Sequence, residues 1–350
     1  MRSFFGVVIL VLACVVGAGV LVAQQQAGTA AGFPTWAYGV MAPPPPPGAP
    51  APAAPPAAAP AAPDNTMHKV DGSTLSFTLA QIRDGFGPAD WFPGDHPAMP
   101  DIVAHGKKDQ MVIACSLCHM PNGKGRPENA PVSGLPVAYF VQQMMDFKND
   151  VRKSADPRKA NTNRMIGFAK AMTDAEIKAA AEYYGAIKWT PWIRVVETNT
   201  VPKTRIAGGM FLRIEGNETE PLGQRIIEAP EKTEDTELLR NPRSGFIAYV
   251  PVGSVKKGEA LVTSGGGKTT QCAVCHGADL LGMGPVPGIA GRSPSYLARQ
   301  LYDMQTGARK GLWADLMKPV VAKLTAEDLV NIAAYTASRP VGTESRQSAQ

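Results

Sequence analysis

The segment CSLCHMPNGKGRPENA, residues 115–130, and the segment CAVCHGADLLGMGPVP, residues 272–287, decide how this chain is read. Each opens with two cysteines three positions apart and a histidine directly after the second. A shift of 157 residues lays Cys115 on Cys272, Cys118 on Cys275 and His119 on His276. The same shift lays Gly125 on Gly282, Gly134 on Gly291, Tyr139 on Tyr296, Gln143 on Gln300 and Asp146 on Asp303. Farther along, a shift of 152 lays Met165 on Met317, Thr173 on Thr325 and Tyr183 on Tyr335, so the first copy carries five extra residues. Matches held in order over such a span mark one module used twice.

The pattern C-x-x-C-H is the attachment signature of c-type haem. Cysteines at i and i+3 share one face of a helical turn. Both thiols can therefore bond the two vinyl groups of one porphyrin while the histidine projects toward its iron. A redox dithiol needs neither the histidine nor the duplication. Zinc needs four ligands, each cluster offers three, and the second module has no other cysteine or histidine. The expected cofactors are two covalently bound haem c groups, one on Cys115 and Cys118 and one on Cys272 and Cys275, with His119 and His276 as proximal ligands.

The sixth ligand separates a carrier from a catalyst, because a filled position leaves no place for substrate. The second module offers Met283, Met304 and Met317. Met304 lies in an amphipathic helical pattern and reads as core. Met317 precedes a helix start capped by Thr325, with Asp328 as reciprocal partner. Met165 occupies the equivalent place in the first module, before the capping pair Thr173 and Glu176. A lone methionine is ordinarily core filler; two at equivalent positions point to ligands. His96 and His105 stay as rivals for the first iron.

Composition bounds the rest. The chain has 350 residues, 44% of them apolar, and a net charge of +5, enough for several domains and too weakly basic for nucleic acid. Four of its five cysteines lie in the two clusters, which leaves no disulfide framework. The apolar run Phe4–Ala23 is 20 residues long and reads as a signal peptide or membrane anchor spanning 1–23. Residues 24–63 read as a linker. Its stretch Ala42–Pro63, almost all proline and alanine over 22 residues, would reach roughly 70 Å if extended at about 3.1 Å per residue. Residues 64–187 form the first module with its N-terminal wrap, and 256–340 form the second. Between them, 188–255 is rich in β-branched and aromatic residues broken by Pro and Gly, and predicts short strands. The basic stretch 148–164 is expected to be either a solvated loop or a docking patch for an acidic redox partner. The sequence SGGGKTT at 264–270 lacks the first glycine of a phosphate loop, and reads as a flexible lead into the second haem helix.

The order C-x-x-C-H, Gly-bearing loop, G-x-x-x-x-Y-x-x-x-Q, methionine and a final A-x-Y helix, together with IAGRSPSYLARQLYDMQTGAR at 289–309, resembles the dihaem class I cytochromes c over roughly residues 100–340. The resemblance implies a mainly α fold of two tandem cytochrome c domains joined by a β-containing bridge. It also implies His119 with Met165 on one haem and His276 with Met317 on the other. A loop carbonyl would orient each proximal histidine; Pro287 stands at that place in the second copy and Ala130, followed by Pro131, in the first. The expected function is one-electron transfer between respiratory redox proteins in the periplasm, tethered to the inner membrane if the N-terminus is retained. An electron-relay subunit of a larger dehydrogenase or oxidase complex, docking through 205–250, is the alternative. A dihaem peroxidase would need an open iron site, which two methionine ligands deny.

Overall fold

The computed structural model describes residues 34–40 and 65–341, and the expected N-terminal membrane segment and most of the linker lie outside them. Among the described residues no helix is long and apolar enough to cross a membrane.

Two helical modules are built alike. In the first, α1 (Cys115–His119), α2 (Val137–Lys148), α3 (Ala160–Ala171) and α4 (Asp174–Ala186) follow in order. In the second, α5 (Ser254–Ser264) leads into α6 (Ala273–His276), α7 (Pro294–Gln305), α8 (Ala314–Val321) and α9 (Ala326–Ser338). Helix α7 has the bounds of α2 moved by 157, and α9 those of α4 moved by 152, so the repeat in sequence is a repeat in structure. Both closing helices start with complete capping boxes, Thr173 with Glu176 and Thr325 with Asp328. Each satisfies backbone donors that the first turn leaves unpaired. Behind them lie two cores, one around Val103, Ile177 and Tyr184 and one around Val321, Leu329 and Ile332.

The bridge contains the expected strands: β1 (Ile193–Glu197), β2 (Thr200–Pro202), β3 (Thr204–Ala207), β4 (Met210–Arg213), β5 (Thr219–Pro221), β6 (Ile227–Pro230) and β7 (Phe246–Val250). β7 is central in a three-stranded sheet, parallel to β1 and antiparallel to β6, and β2–β5 and β3–β4 form small antiparallel pairs. The wrap at 65–100 packs on this bridge through a small apolar cluster of Val70, Ile82, Trp91, Phe92 and Leu239. The segment Thr35–Tyr38, which the sequence places in the linker, is a single 3-10 turn with Trp36, Ala37 and Tyr38 buried. Tyr38 donates to Asp303 Oδ1 at 2.7 Å.

The modules meet across a pseudo-twofold axis written by the repeat itself. Lys153 N donates to Ala308 O at 2.9 Å and Lys310 N to Val151 O at 2.8 Å, pairs that exchange under the shift of 157. Arg309 reaches Tyr139 Oη at 2.8 Å and Gln143 Oε1 at 2.7 Å. Its counterpart Arg152 reaches Tyr296 Oη at 3.4 Å and Gln300 Oε1 at 3.1 Å. A surface that bonds its own copy in this reciprocal way is isologous, as in a symmetric dimer.

Candidate functional site

Each cysteine–histidine turn is one short helix that a left-handed residue stops. In the second copy the stop is Gly277 at φ 82°, where glycine carries no steric penalty. In the first, Met120 takes φ 64° at the equivalent place and is buried.

The turn hands its histidine to a loop carbonyl. His119 Nδ1 lies 2.9 Å from Ala130 O, and His276 Nδ1 lies 2.8 Å from Pro287 O. A carbonyl oxygen only accepts, so Nδ1 carries the proton in both rings and the Nε2 lone pair is left for a metal. Burial pushes both imidazoles below their ordinary pKa, with the carbonyl bonds pulling the other way. Both rings are thereby kept in the neutral form that can ligate. Burial also pushes the Cys115 thiol up to about 12 and that of Cys272 up to about 11.

Above each turn is a cavity. The first encloses about 1320 Å³ of space, partly open to solvent, and is lined by Cys115, Cys118, His119 and Met165. The second spans about 830 Å³, likewise partly open to solvent, and is lined by Cys272, His276 and Met317, with Met304 also on its wall. Cys275 is exposed, one turn from Cys272 and outside that lining. Met283 is 57% exposed. His96 bonds Asp90 at 3.0 Å and Pro97 O at 2.8 Å, His105 reaches Phe86 O at 3.2 Å, and neither lines a cavity. Among the described residues no group of three or more His, Cys, Asp or Glu side chains is placed to hold a metal ion.

The basic stretch 148–164 is solvated only in part: Lys153 and Arg164 are exposed. Arg152 and Lys159 are buried at the module interface, Arg158 pairs with the buried Asp156 at 2.7 Å, and Lys148 caps the end of α3 by bonding Met172 O at 3.0 Å. Burying these charges is tolerable because each meets an acceptor: Tyr296 and Gln300 of the facing module for Arg152, the Tyr38 carbonyl for Lys159, and Asp156 for Arg158.

Sequence reasoning missed the residues between the cavities. Leu135, Tyr139, Tyr296 and Gln300 line both, forming a shared wall. Arg152 and Arg299 line the first cavity and Arg292 and Arg309 the second, all buried. The signal was present, since the shift of 157 that joins Tyr139 to Tyr296 also joins Arg152 to Arg309.

These residues fit haem c. In the first module two thiols, a fixed Nε2 donor and a thioether line one mainly apolar cavity; in the second, Cys272, His276 and Met317 do so, with Cys275 one turn away at the rim. The buried arginines would supply positive charge for the carboxylates of a bound macrocycle, and Arg309 Nε has no hydrogen-bond partner of its own.

No family model matches the chain. Cytochrome c-554(548) of Halomonas halodenitrificans is 39% identical over 77 residues, which span 22% of this chain and 93% of that protein. This chain belongs to the dihaem class I cytochromes c. A thiosulfate dehydrogenase electron acceptor from Thiomonas intermedia is 23% identical over 243 residues, 68% of this chain and 83% of its own length. Among solved structures, reduced cytochrome c4 from Pseudomonas stutzeri aligns over 64% of this chain and 93% of its own at 18% identity, with a TM-score of 0.42.

Proposed function

We propose that this cytochrome is a periplasmic one-electron carrier whose two modules each hold one haem c. In this reading Cys115, Cys118, Cys272 and Cys275 form the thioether bonds, and His119 with Met165 and His276 with Met317 bind the two irons. The observation that carries it is the pair of cavities, each bringing a C-x-x-C-H turn and a repeat-equivalent methionine to one space. When bound, the group supplies a reversible one-electron couple, and a methionine opposite histidine raises its potential.

The protein's own part is to hold and shield. Ala130 and Pro287 carbonyls fix the two rings and set their tautomer. The linings are mainly apolar, and Leu135, Tyr139, Tyr296 and Gln300 stand between the two sites as a wall common to both. We assign the modules to 64–187 and 256–340, with 188–255 as the bridge. Residues 1–23 serve as export signal or inner-membrane anchor, and the linker after them as its tether. The net charge of +5 favours redox partners of opposite sign. Similarity to two proteins named thiosulfate dehydrogenase electron acceptor supports a second reading, in which the donor is a dehydrogenase and the chain works as its relay subunit.

Haem content and carbon monoxide binding test the assignment. Two haems per chain, and no prompt spectral change when carbon monoxide meets the reduced protein, are expected. One haem, or a prompt shift at one site, would overturn the carrier reading and bring a catalytic or gas-binding role forward.

A further inference from the structure

The two modules are alike inside and unlike outside. Under the shift of 157, Leu117 corresponds to Val274, Cys118 to Cys275, Asn122 to Asp279, Lys124 to Leu281 and Arg126 to Met283. All five positions are at least half-covered in the first copy and exposed in the second. Val274 is 59% exposed, Leu281 50% and Met283 57%.

The cover is the chain's own bridge. Arg240 donates its guanidinium to the Leu117 carbonyl, between the two cysteines. Asn122 Nδ2 donates to Pro242 O at 2.6 Å, and Arg126 Nη1 to Thr236 O at 3.3 Å. The loop that supplies these partners is itself pinned from behind. Trp91 Nε1 donates to Leu239 O at 2.8 Å, and Arg243 stacks on Phe92 at 3.6 Å while pairing with Asp95 at 2.7 Å. Arg240 adopts φ 50°, a left-handed conformation that a non-glycine residue holds only where its surroundings impose it. The substitutions follow the same logic: Lys124 and Arg126 face carbonyls of the bridge, whereas Leu281 and Met283 have no such partners to meet.

Given the two-haem reading, on which this rests, the covered cysteine matters. Cys118 is partly covered and Cys275 exposed, so the macrocycle edge that Cys118 would hold would come under the loop and the edge that Cys275 would hold would come to the surface. We propose that the loop Asp235–Arg243 is a built-in cover over the first haem edge. The second module is therefore the port for redox proteins, and the first is filled across the wall of Tyr139, Tyr296 and Gln300. Each encounter moves one electron: the partner loses it, the port gains it and passes it inward, and the chain holds two when both sites are filled. The port takes a partner with an apolar docking face and a cation for Asp279. Built this way, the bridge replaces a docking surface with an intramolecular one.

The test uses the full holoprotein and a neutral gadolinium chelate, which relaxes haem-methyl protons according to their exposure. Methyls are assigned by through-space contacts to Phe168 in the first module and Leu301 in the second. Several-fold stronger relaxation at the second haem is expected in the native protein, which needs no variant. Arg240→Ala should raise relaxation at the first haem at least twofold and leave the second unchanged. Two sets of methyls relaxing equally would overturn the cover, whereas a single set would overturn the two-haem reading instead.

Discussion

Helices α5 and α9 cross at Gly258, and that crossing yields a prediction whose sign runs against helix propensity. A Cβ on Gly258 would lie 1.9 Å from Asn331 O and 2.7 Å from Tyr335 Cβ, against 3.4 Å for ordinary contact. The shortfall to the carbonyl, 3.4 − 1.9, is about 1.5 Å, and the atom met is backbone, so no flexible side chain can yield. Overpacking of a tight core costs about 1–3 kcal/mol, and this case belongs at the upper end. Alanine in a helix interior returns up to about 1 kcal/mol through backbone entropy. The clash wins, and Gly258→Ala should lose about 2 kcal/mol. Gly167 in α3 is the control: it is exposed, with nothing within 4 Å of the added carbon, so Gly167→Ala should gain about 0.5–1 kcal/mol. Urea unfolding followed by circular dichroism reads both, and with a slope near 2 kcal/mol per molar the Gly258 variant should unfold about 1 M earlier. A Gly258→Ala midpoint equal to or above the native one, with Gly167→Ala behaving as described, would refute the close crossing.

Met165→Leu and Met317→Leu should each open one iron: the reduced variant binds carbon monoxide at one haem, and that haem's potential falls in a redox titration. Arg309→Leu strips donors from Tyr139, Gln143 and Gln300 at the module interface. It should cost about 3–5 kcal/mol, the usual consequence of breaking a buried charged network. Calorimetry should then show two separate transitions, and Arg309→Lys should restore coupling only in part because one ammonium cannot reach three acceptors. The Asp328 carboxyl is held below its ordinary pKa: burial opposes ionisation, but bonds from Thr325 and the Lys268 ammonium outweigh it. A depressed folded pKa contributes stability above the unfolded value of about 3.9, and that contribution is lost as pH falls below it. Asp328→Asn should therefore be less stable at pH 7 and lose less on acidification through that range, as thermal unfolding against pH will show.

What could be read in the sequence was what the chemistry writes locally. C-x-x-C-H and the two capping boxes need only neighbours in the chain, the repeat needs only the chain laid on itself, and the helices that follow keep their register through both copies. The strands of the bridge were legible from β-branched composition, but their order was not. Placing β7 parallel to β1 and antiparallel to β6 depends on how the chain returns, which no local pattern encodes. Residues 34–40 were misplaced for a related reason. Beside a proline-rich tract, Trp36 and Tyr38 look like part of a tether, and only Asp303, 265 residues away from Tyr38, shows otherwise.

The basic stretch at 148–164 shows why charge alone misleads. Its residues read as surface, since lysine and arginine are rarely buried unpaired. The partners lie one repeat away, however: Tyr296 and Gln300 for Arg152, as Tyr139 and Gln143 for Arg309. A duplicated module already carries a surface that can pair with its own copy, so reciprocal contacts arise together and one substitution serves both halves. The same duplication leaves a second, equivalent outer face on each module. Where the bridge lies over one of them, the symmetry of the interior no longer extends to the exterior. Two sites of one design thereby become unequal in access, so that exchange with partners, in and out, runs through the exposed face of the second module.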